Sequence, residues 1–299
     1  MRNTHFVVVR AQSLRWMALA LLGIAAVALL LVQPASPVAA PQSTTYNHKP
    51  MLAIVIDDFG QDRGGVREML DLPLAITCAV MPNMEFTQKD AADAHAVGKE
   101  VIVHMPMQAR PGDPMSWYGP EPILLWHGRE QAQAIAERAV ASVPHAVGVN
   151  IHIGSGSSER EAIVGGVMEV CREAGYYFLD SYTSAKSVCE KVAAEHGVPF
   201  LIRHVFLEHG NRSKANIKRE LRRAVEIAKA RGSCVAIGHV GPEGGKPTAE
   251  AIREMIPYFE EQGVEIVPAS KLLSLEENKR EGDKAVDQVW TYALTDEAN

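Results

Sequence analysis

The chain has 299 residues, of which 47% are hydrophobic, 22% are charged and 6% are aromatic, and its formal net charge is -6. This apolar content is too high for a long disordered chain. The negative balance excludes nucleic-acid binding through bulk positive charge. The first 40 residues hold three arginines and no acidic residue, so the other 259 carry -9, and they are enough for one α/β domain.

The first 40 residues have the order of a targeting segment. A basic stretch ends at Arg15, and Met17–Val32 follows as an apolar run of 16 residues. Gln33-Pro34 interrupts the run, and Val38-Ala39-Ala40 offers small residues to a signal peptidase. The run is short for a spanning helix, which needs roughly 20 residues. We expect residues 1–40 to be a signal peptide or an uncleaved N-terminal membrane anchor. The rest of the chain is then periplasmic or extracellular and contacts the membrane only through this segment.

The four cysteines lie beyond this segment and form no CxxC or Cys/His cluster, which argues against a zinc finger. An oxidising compartment permits disulfides, and the spacing leaves their pairing open. Cys78 and Cys234 lie in apolar runs, and we expect both to be buried thiols.

A polar linker at residues 41–50 precedes a domain at 51–274, and a polar tail follows at 275–299. Within the domain, short apolar runs rich in β-branched residues alternate with helical patterns. The expected strands are Met51–Ile56, Leu74–Met81, Glu100–His104, Ala146–Ile151, Tyr176–Leu179, Pro199–Leu207, Cys234–Ile237 and Val264–Val267. Helices are expected near 62–70, 86–97, 129–142, 158–174, 184–196, 213–231 and 248–262.

This alternation predicts an α/β fold with parallel strands joined by right-handed crossovers. No Gly-rich phosphate loop follows the first strand, which disfavours an open dinucleotide-binding sheet. We therefore expect a distorted (β/α) barrel of seven to eight parallel strands. The C-terminal ends of such strands meet at one mouth, where active sites form.

Polar residues collect at these predicted strand ends. They are Asp57, Asp58, His104, Asn150, His152, Asp180, Ser181, Arg203, His204, Glu208 and His239. Two adjacent carboxylates after a buried strand lose hydration and repel each other, and a cation beside them offsets that cost. One aspartate with His104 and His152 makes a three-ligand set that suits zinc or a similar divalent ion. The other aspartate is then available as a general base; alternatively, one of the pair caps the following helix.

The remaining site candidates have more than one interpretation. His239 lies across the barrel from the aspartates and is placed to protonate a leaving group, or it is a structural histidine bonded to a loop. Asp180, Ser181 and Arg203 are expected to bind substrate. Alternatively, Asp180 orients a histidine, and Arg203 pairs with Asp57 or Asp180 and tunes its pKa. Trp117 and Trp126, in the long loop Pro106–Gly128, offer flat faces to a sugar or pin that loop to the barrel.

Five segments together resemble a known family. They are Ile56-Asp57-Asp58-Phe59-Gly60, Val103-His104-Met105-Pro106-Met107, Gly148-Val149-Asn150-Ile151-His152-Ile153-Gly154-Ser155, Phe178-Leu179-Asp180-Ser181 and Ile237-Gly238-His239. Over about residues 50–272 the chain is similar to the divergent polysaccharide deacetylases, the YibQ-like relatives of the NodB-type carbohydrate esterases.

The resemblance implies a NodB-like barrel, a divalent metal that is usually zinc, and hydrolysis of N- or O-acetyl groups. It assigns the base to Asp57 and a metal ligand to Asp58. The wider superfamily takes two histidine ligands from one HxxxH-type motif, whereas this chain has only His104 there. His152, from the next strand, has to complete the ligand set.

The resulting hypothesis is a metal-dependent hydrolase that deacetylates an envelope polysaccharide or a peptidoglycan-like glycan. Asp58, His104 and His152 hold the metal, Asp57 activates water, and His239 protonates the leaving group. The missing HxxxH histidine motivates an alternative, a non-catalytic glycan-binding or scaffold protein of the envelope. A metal-dependent amidase or esterase with another substrate is a third possibility.

Overall fold

The computed structural model describes residues 48–61, 64–111 and 118–275. The expectations for residues 1–40, for most of the linker, for the tail from residue 276 and for Trp117 lie outside these ranges. No helix among the described residues is long and apolar enough to cross a membrane.

The described residues form nine strands. They are β1 Met51–Phe59, β2 Thr77–Val80, β3 Glu100–Met107, β4 Ala146–Ile153, β5 Tyr177–Asp180, β6 Phe200–Ile202, β7 Val205–Phe206, β8 Ser233–His239 and β9 Glu265–Val267. The α-helices between them are α1 Val66–Leu70, α2 Thr87–Ala96, α3 Arg129–Ser142, α4 Glu161–Ala174, α5 Cys189–His196, α6 Lys214–Arg231 and α7 Lys246–Glu261. Two short 3-10 helices cover Ser157–Glu159 and Ala269–Leu272.

All strand pairs are parallel, in the order β6-β5-β4-β3-β2-β1-β8-β7, and β9 pairs with the start of β1. The two strands at the ends of this order, β6 and β7, are separated in sequence by Arg203 and His204 alone. Because two residues cannot bridge the width of a flat sheet, the sheet must curl until its edges approach each other. The predicted distorted parallel barrel is confirmed.

The predicted single strand Pro199–Leu207 is wrong, because it divides into β6 and β7 at opposite ends of the sheet. β6 pairs with β5, whereas β7 pairs with β8. His204 is the residue at which the chain begins to pair with β8 in place of β5. Its backbone N–H donates to Val235 O at 2.9 Å, and its ring Nδ1 accepts from Val235 N at 3.0 Å.

Strand residues alternate between two apolar cores, as the pleat requires. Leu52, Ile54 and Ile56 join the core that packs against the α-helices. Ala53 and Val55 join a second core, which contains strand and 3-10 residues and lies on the inner face of the curled sheet. All four cysteines are buried, as predicted for the thiols of Cys78 and Cys234, and none of them forms a disulfide within the described residues.

Candidate metal centre and active site

Most of the predicted site residues lie on the inner face of the barrel. Asp57, His104 and His239 each lie two residues beyond an inner-core residue, namely Val55, Ile102 and Ile237. Strand alternation therefore turns all three toward the interior, above the apolar layer. Asp57 and His239 are paired in register on the neighbouring strands β1 and β8. The expected position of His239 across the barrel from the aspartates is therefore wrong.

Asp58 reaches the same mouth through a break in the alternation. The register of β1 against β2 shifts between Ile56 and Phe59, which is the mark of a bulge. The backbone of Asp58 adopts a left-handed conformation, with φ 70°, which is strained for a residue other than glycine. As a result, two consecutive carboxylates face one site, and both are buried. Neither caps the following helix, because Gly65 precedes α1.

Asp58, His104 and His152 bring three potential ligand atoms together. Asp58 Oδ1 lies 3.4 Å from His104 Nε2 and 3.3 Å from His152 Nδ1. The two nitrogens are 3.0 Å apart. Three ligands of a tetrahedral zinc ion lie about 3.3 Å from one another, given metal–ligand distances near 2.0–2.1 Å. The triangle has the dimensions of one face of such a tetrahedron.

The hydrogen bonding of this triangle also fits a cation. Asp58 Oδ1 is buried and has no partner of suitable hydrogen-bond geometry among the described residues, although both imidazole nitrogens are close. A buried carboxylate oxygen left in that state is costly unless a charge compensates it. The three residues therefore fit a divalent ion, and the third ligand comes from β4 rather than from a second histidine near His104.

Asn150 is a site residue for which the sequence interpretation gave no role. It is fully buried and faces the interior two residues before His152. Its Nδ2 donates to Asp57 Oδ1 at 2.8 Å, and its Oδ1 lies 2.8 Å from His104 Nδ1. The signal was present in the Asn-x-His spacing, because residues two apart on a strand share one face.

The paired aspartates differ in their electrostatics. Burial raises the pKa of Asp57, against the opposing effect of His104 and His239. Burial also acts to raise the pKa of Asp58, but the adjacent His104 and His152 imidazoles outweigh it and hold that pKa well below its ordinary value. For His104, burial acts to lower the pKa, and the charges of Asp57 and Asp58 reverse the effect and raise it. Two adjacent carboxylates with separated pKa values are suited to different roles.

His239 is held by Glu208, a second residue for which the sequence interpretation gave no role. Glu208 Oε2 lies 3.0 Å from His239 Nδ1, and Oε1 accepts from Thr248 Oγ1 at 2.6 Å and from the His239 backbone N–H at 3.2 Å. Burial acts to lower the pKa of His239, but Glu208, with Asp58 and Asp57, raises it to about 9. The cationic imidazole is therefore the form present at neutral pH. No sequence spacing links residues 208 and 239, because their contact depends on β7 pairing with β8.

Two predicted substrate residues, Asp180 at the end of β5 and Ser181 directly after it, make contacts within the protein. Asp180 follows the outward-facing Phe178 in the alternation and accepts from Tyr182 N at 2.8 Å and Ser187 Oγ at 2.6 Å. Ser181 Oγ donates to Ile151 O at 2.7 Å. These contacts favour a role in shaping the loop after β5.

Arg203 supports the same loop. Its Nε donates to Ser181 O at 2.7 Å and its Nη2 to Tyr182 O at 3.0 Å. Its charge acts to lower the pKa of Asp180, which burial raises overall. The guanidinium also lies over the ring of Phe206, 5.5 Å from the centroid, and that ring is 4.9 Å from the ring of His239.

Trp126 is 70% exposed, in the segment that pairs with the end of β3 through Met107 and Ile123. Its ring packs edge-on against His127, with centroids 4.0 Å apart. An exposed indole at the mouth end of a strand is available to a ligand and does not pin the loop to the core.

The curled parallel sheet and the cluster at its mouth define a barrel of the polysaccharide deacetylase type. Residues 54–273 match the family described as divergent polysaccharide deacetylase. The chain belongs to this family.

Two relatives are similar to the chain in sequence, and one solved structure is similar to it in fold. The uncharacterized protein YibQ of Escherichia coli (strain K12) is 33% identical over 223 residues, covering 75% of this chain and 67% of that protein. An uncharacterized protein of Haemophilus influenzae (strain ATCC 51907 / DSM 11121 / KW20 / Rd) is 34% identical over 193 residues, covering 64% of this chain and 67% of that protein. The crystal structure of an uncharacterized protein from Agrobacterium tumefaciens C58 has the same fold, with a TM-score of 0.69 at 24% identity over 75% of this chain and 89% of that one.

Proposed function

We propose that the protein is a metal-dependent hydrolase that removes acetyl groups from an envelope polysaccharide or a peptidoglycan-like glycan. The observation that carries the proposal is the triangle of Asp58 Oδ1, His104 Nε2 and His152 Nδ1, with sides of 3.0 to 3.4 Å. Membership of the divergent polysaccharide deacetylase family supports an acetylated glycan as the substrate class.

In this role, Asp58, His104 and His152 hold a divalent cation, and the donor set of one carboxylate and two imidazoles favours zinc. Such a cation supplies Lewis acidity to a carbonyl group and makes water more acidic. Asn150 orients His104, because an imidazole that donates from Nδ1 to the Asn150 oxygen presents the lone pair of Nε2 to the ligand triangle.

The chain's own acid and base then act on either side of the scissile bond. Asp57 accepts the proton of the attacking water, with its Oδ1 fixed by Asn150 and its Oδ2 3.6 Å from His104 Nε2. His239 donates a proton to the leaving amine or alkoxide. Glu208 keeps the His239 ring oriented and cationic by accepting at Nδ1, which leaves Nε2 as the proton donor.

Trp126 is the proposed contact for sugar rings, and the N-terminal segment is the proposed export signal. We assign Trp126 to a sugar-stacking surface at the rim, since flat aromatic faces pack against the apolar faces of pyranose rings. Export through the N-terminal segment brings the domain to envelope glycans in the periplasm or outside the cell.

The test is acetate release from a panel of N- and O-acetylated glycans by zinc-loaded protein. We expect release by the wild type and a loss of at least 100-fold in Asp57→Asn, which keeps the hydrogen bonds but not the base. Asp71→Asn, at an exposed aspartate after α1, is the matched control. Saccharide binding without acetate release, unaffected by Asp57→Asn, would instead establish the non-catalytic glycan-binding alternative.

A further inference from the structure

A buried carboxylate of α2 contacts the backbone directly after the bulge of β1. Asp90 is fully buried, and its Oδ2 accepts a hydrogen bond of 2.9 Å from the backbone N–H of Gly60. Thirty residues separate the two in sequence. Burying a carboxylate is costly, so a fully buried aspartate at this position calls for a structural or functional reason.

The bulge creates the need for this contact. Because the register of β1 against β2 shifts before Phe59, the chain leaves the ladder at Gly60, and its N–H turns to the side chain of Asp90. The Gly60 carbonyl accepts from Phe86 N at 2.9 Å, four residues before Asp90. A Cβ at Gly60 would lie 2.9 Å from Met81 O, so the backbone fits tightly here.

The contacts of Gly60 with Asp90 and Phe86 lie two residues from the proposed metal ligand Asp58. A left-handed non-glycine residue persists only where its surroundings over-determine it, and Asp58 has φ 70°. The carbonyl of Asp57 accepts from Val240 N at 3.1 Å and fixes the residue before Asp58. The Gly60 contacts to Asp90 and Phe86 fix the other end of the bulge.

We propose that Asp90 is a positioning residue, which holds Gly60 and thereby presents the carboxylate of Asp58 to His104 and His152. The proposal rests on the metal site of the proposed function. Asp90 lies outside the mouth and acts on the site through the backbone of Gly60, without contact with substrate or metal.

The test compares four variants of the full chain, one of which, Val167→Ala in the core of α4, is a control for general stability. Asp90→Ala removes the acceptor, and Asp90→Asn retains an oxygen that can accept from Gly60. Asp93→Ala is the control, because Asp93 lies on the same helix but pairs with Lys89 at the surface, at 2.6 Å. Two readouts are used: amide hydrogen exchange of Gly60 in metal-free protein, and Co²⁺ affinity with the visible absorption of the bound ion.

For Asp90→Ala we expect Gly60 exchange to be at least about 10-fold faster and Co²⁺ affinity to fall about 10- to 100-fold, the range found for outer residues of metal sites. Asp90→Asn should keep most of the exchange protection of Gly60 and most of the Co²⁺ affinity, and Asp93→Ala should match the wild type in both measurements. If Asp90→Ala does not fold, Asp90→Ser, whose hydroxyl is too short to reach Gly60, takes its place with the same expectation.

Wild-type Co²⁺ affinity in the alanine variant would overturn the inference and leave the proposed function standing. An equal loss in Val167→Ala, a core variant of α4, would also overturn it, because the effect would then follow general stability. Absence of Co²⁺ binding in the wild type would overturn both proposals.

Discussion

Asn150 Oδ1 lies 2.8 Å from His104 Nδ1, at the position of β4 that pairs in register with His104. The same amide donates from Nδ2 to Asp57 Oδ1, also at 2.8 Å. Because the amide nitrogen only donates, Asp57 fixes its orientation, and the oxygen is left to accept from His104. A single side chain therefore sets both the tautomer of a proposed metal ligand and the position of the proposed base.

Replacing Asn150 with alanine should weaken metal binding about 10- to 100-fold, because His104 loses the partner that fixes its tautomer. A competition titration with a chromophoric chelator measures the effect. Asn211→Ala is the control, since the Asn211 side chain accepts from Ser213 N in an exposed turn. Unchanged affinity in Asn150→Ala would show that the ring of His104 is held by other contacts.

Glu208→Gln should move the alkaline limb of the pH–rate profile to lower pH. In the wild type, the pKa of His239 is about 9, so the proton donor is lost only as the pH rises through that value. Removing the Glu208 charge lowers this pKa, and Asp57 and Asp58 remain as the nearby anions. An NMR titration of the His239 ring and the pH profile of kcat measure the shift. Glu243→Gln, at an exposed residue paired with Arg212, should leave both unchanged. A profile that stays in place in Glu208→Gln contradicts the assignment of His239 as the acid.

The same pair predicts a pH-dependent contribution to stability. The pKa of His239 rises on folding from 6.5 to about 9, so its contribution is complete below pH 6.5 and is lost as the pH rises through 9. The shift corresponds to roughly 3 kcal/mol as an upper limit. We expect the difference in unfolding free energy between the wild type and His239→Gln to shrink between pH 6.5 and 9, as measured by urea unfolding in a chelator. A difference that is constant over this interval would contradict the raised pKa.

The periodicity of the sequence was sufficient to predict the parallel barrel and the convergence of Asp57, His104, His152 and His239 on its mouth. These inferences depend on local alternation and on the rule that parallel strands end at one face. Alternation also turns Asp180 outward, where it accepts hydrogen bonds from Tyr182 N and Ser187 Oγ in the loop after β5.

Other features depended on information that is not local. Strict alternation would have sent Asp58 away from the mouth, and only the bulge and the left-handed φ bring it back. The contact of Glu208 with His239 requires the chain to cross from one edge of the sheet to the other at Arg203-His204. Neither the bulge nor the crossing has a signature in the spacing of residues.

His152→Ala should abolish stoichiometric metal binding, because the triangle then keeps only Asp58 and His104, and two ligands hold a divalent ion far less tightly than three. Elemental analysis of purified, extensively dialysed protein measures the bound metal. His95→Ala is the matched control, since that histidine is exposed and stacks on His145 with centroids 3.8 Å apart. Metal in the wild type and in His95→Ala, but not in His152→Ala, is the expected result. Equal metal content in all three proteins would place the cation elsewhere and remove the observation on which the proposed hydrolase rests.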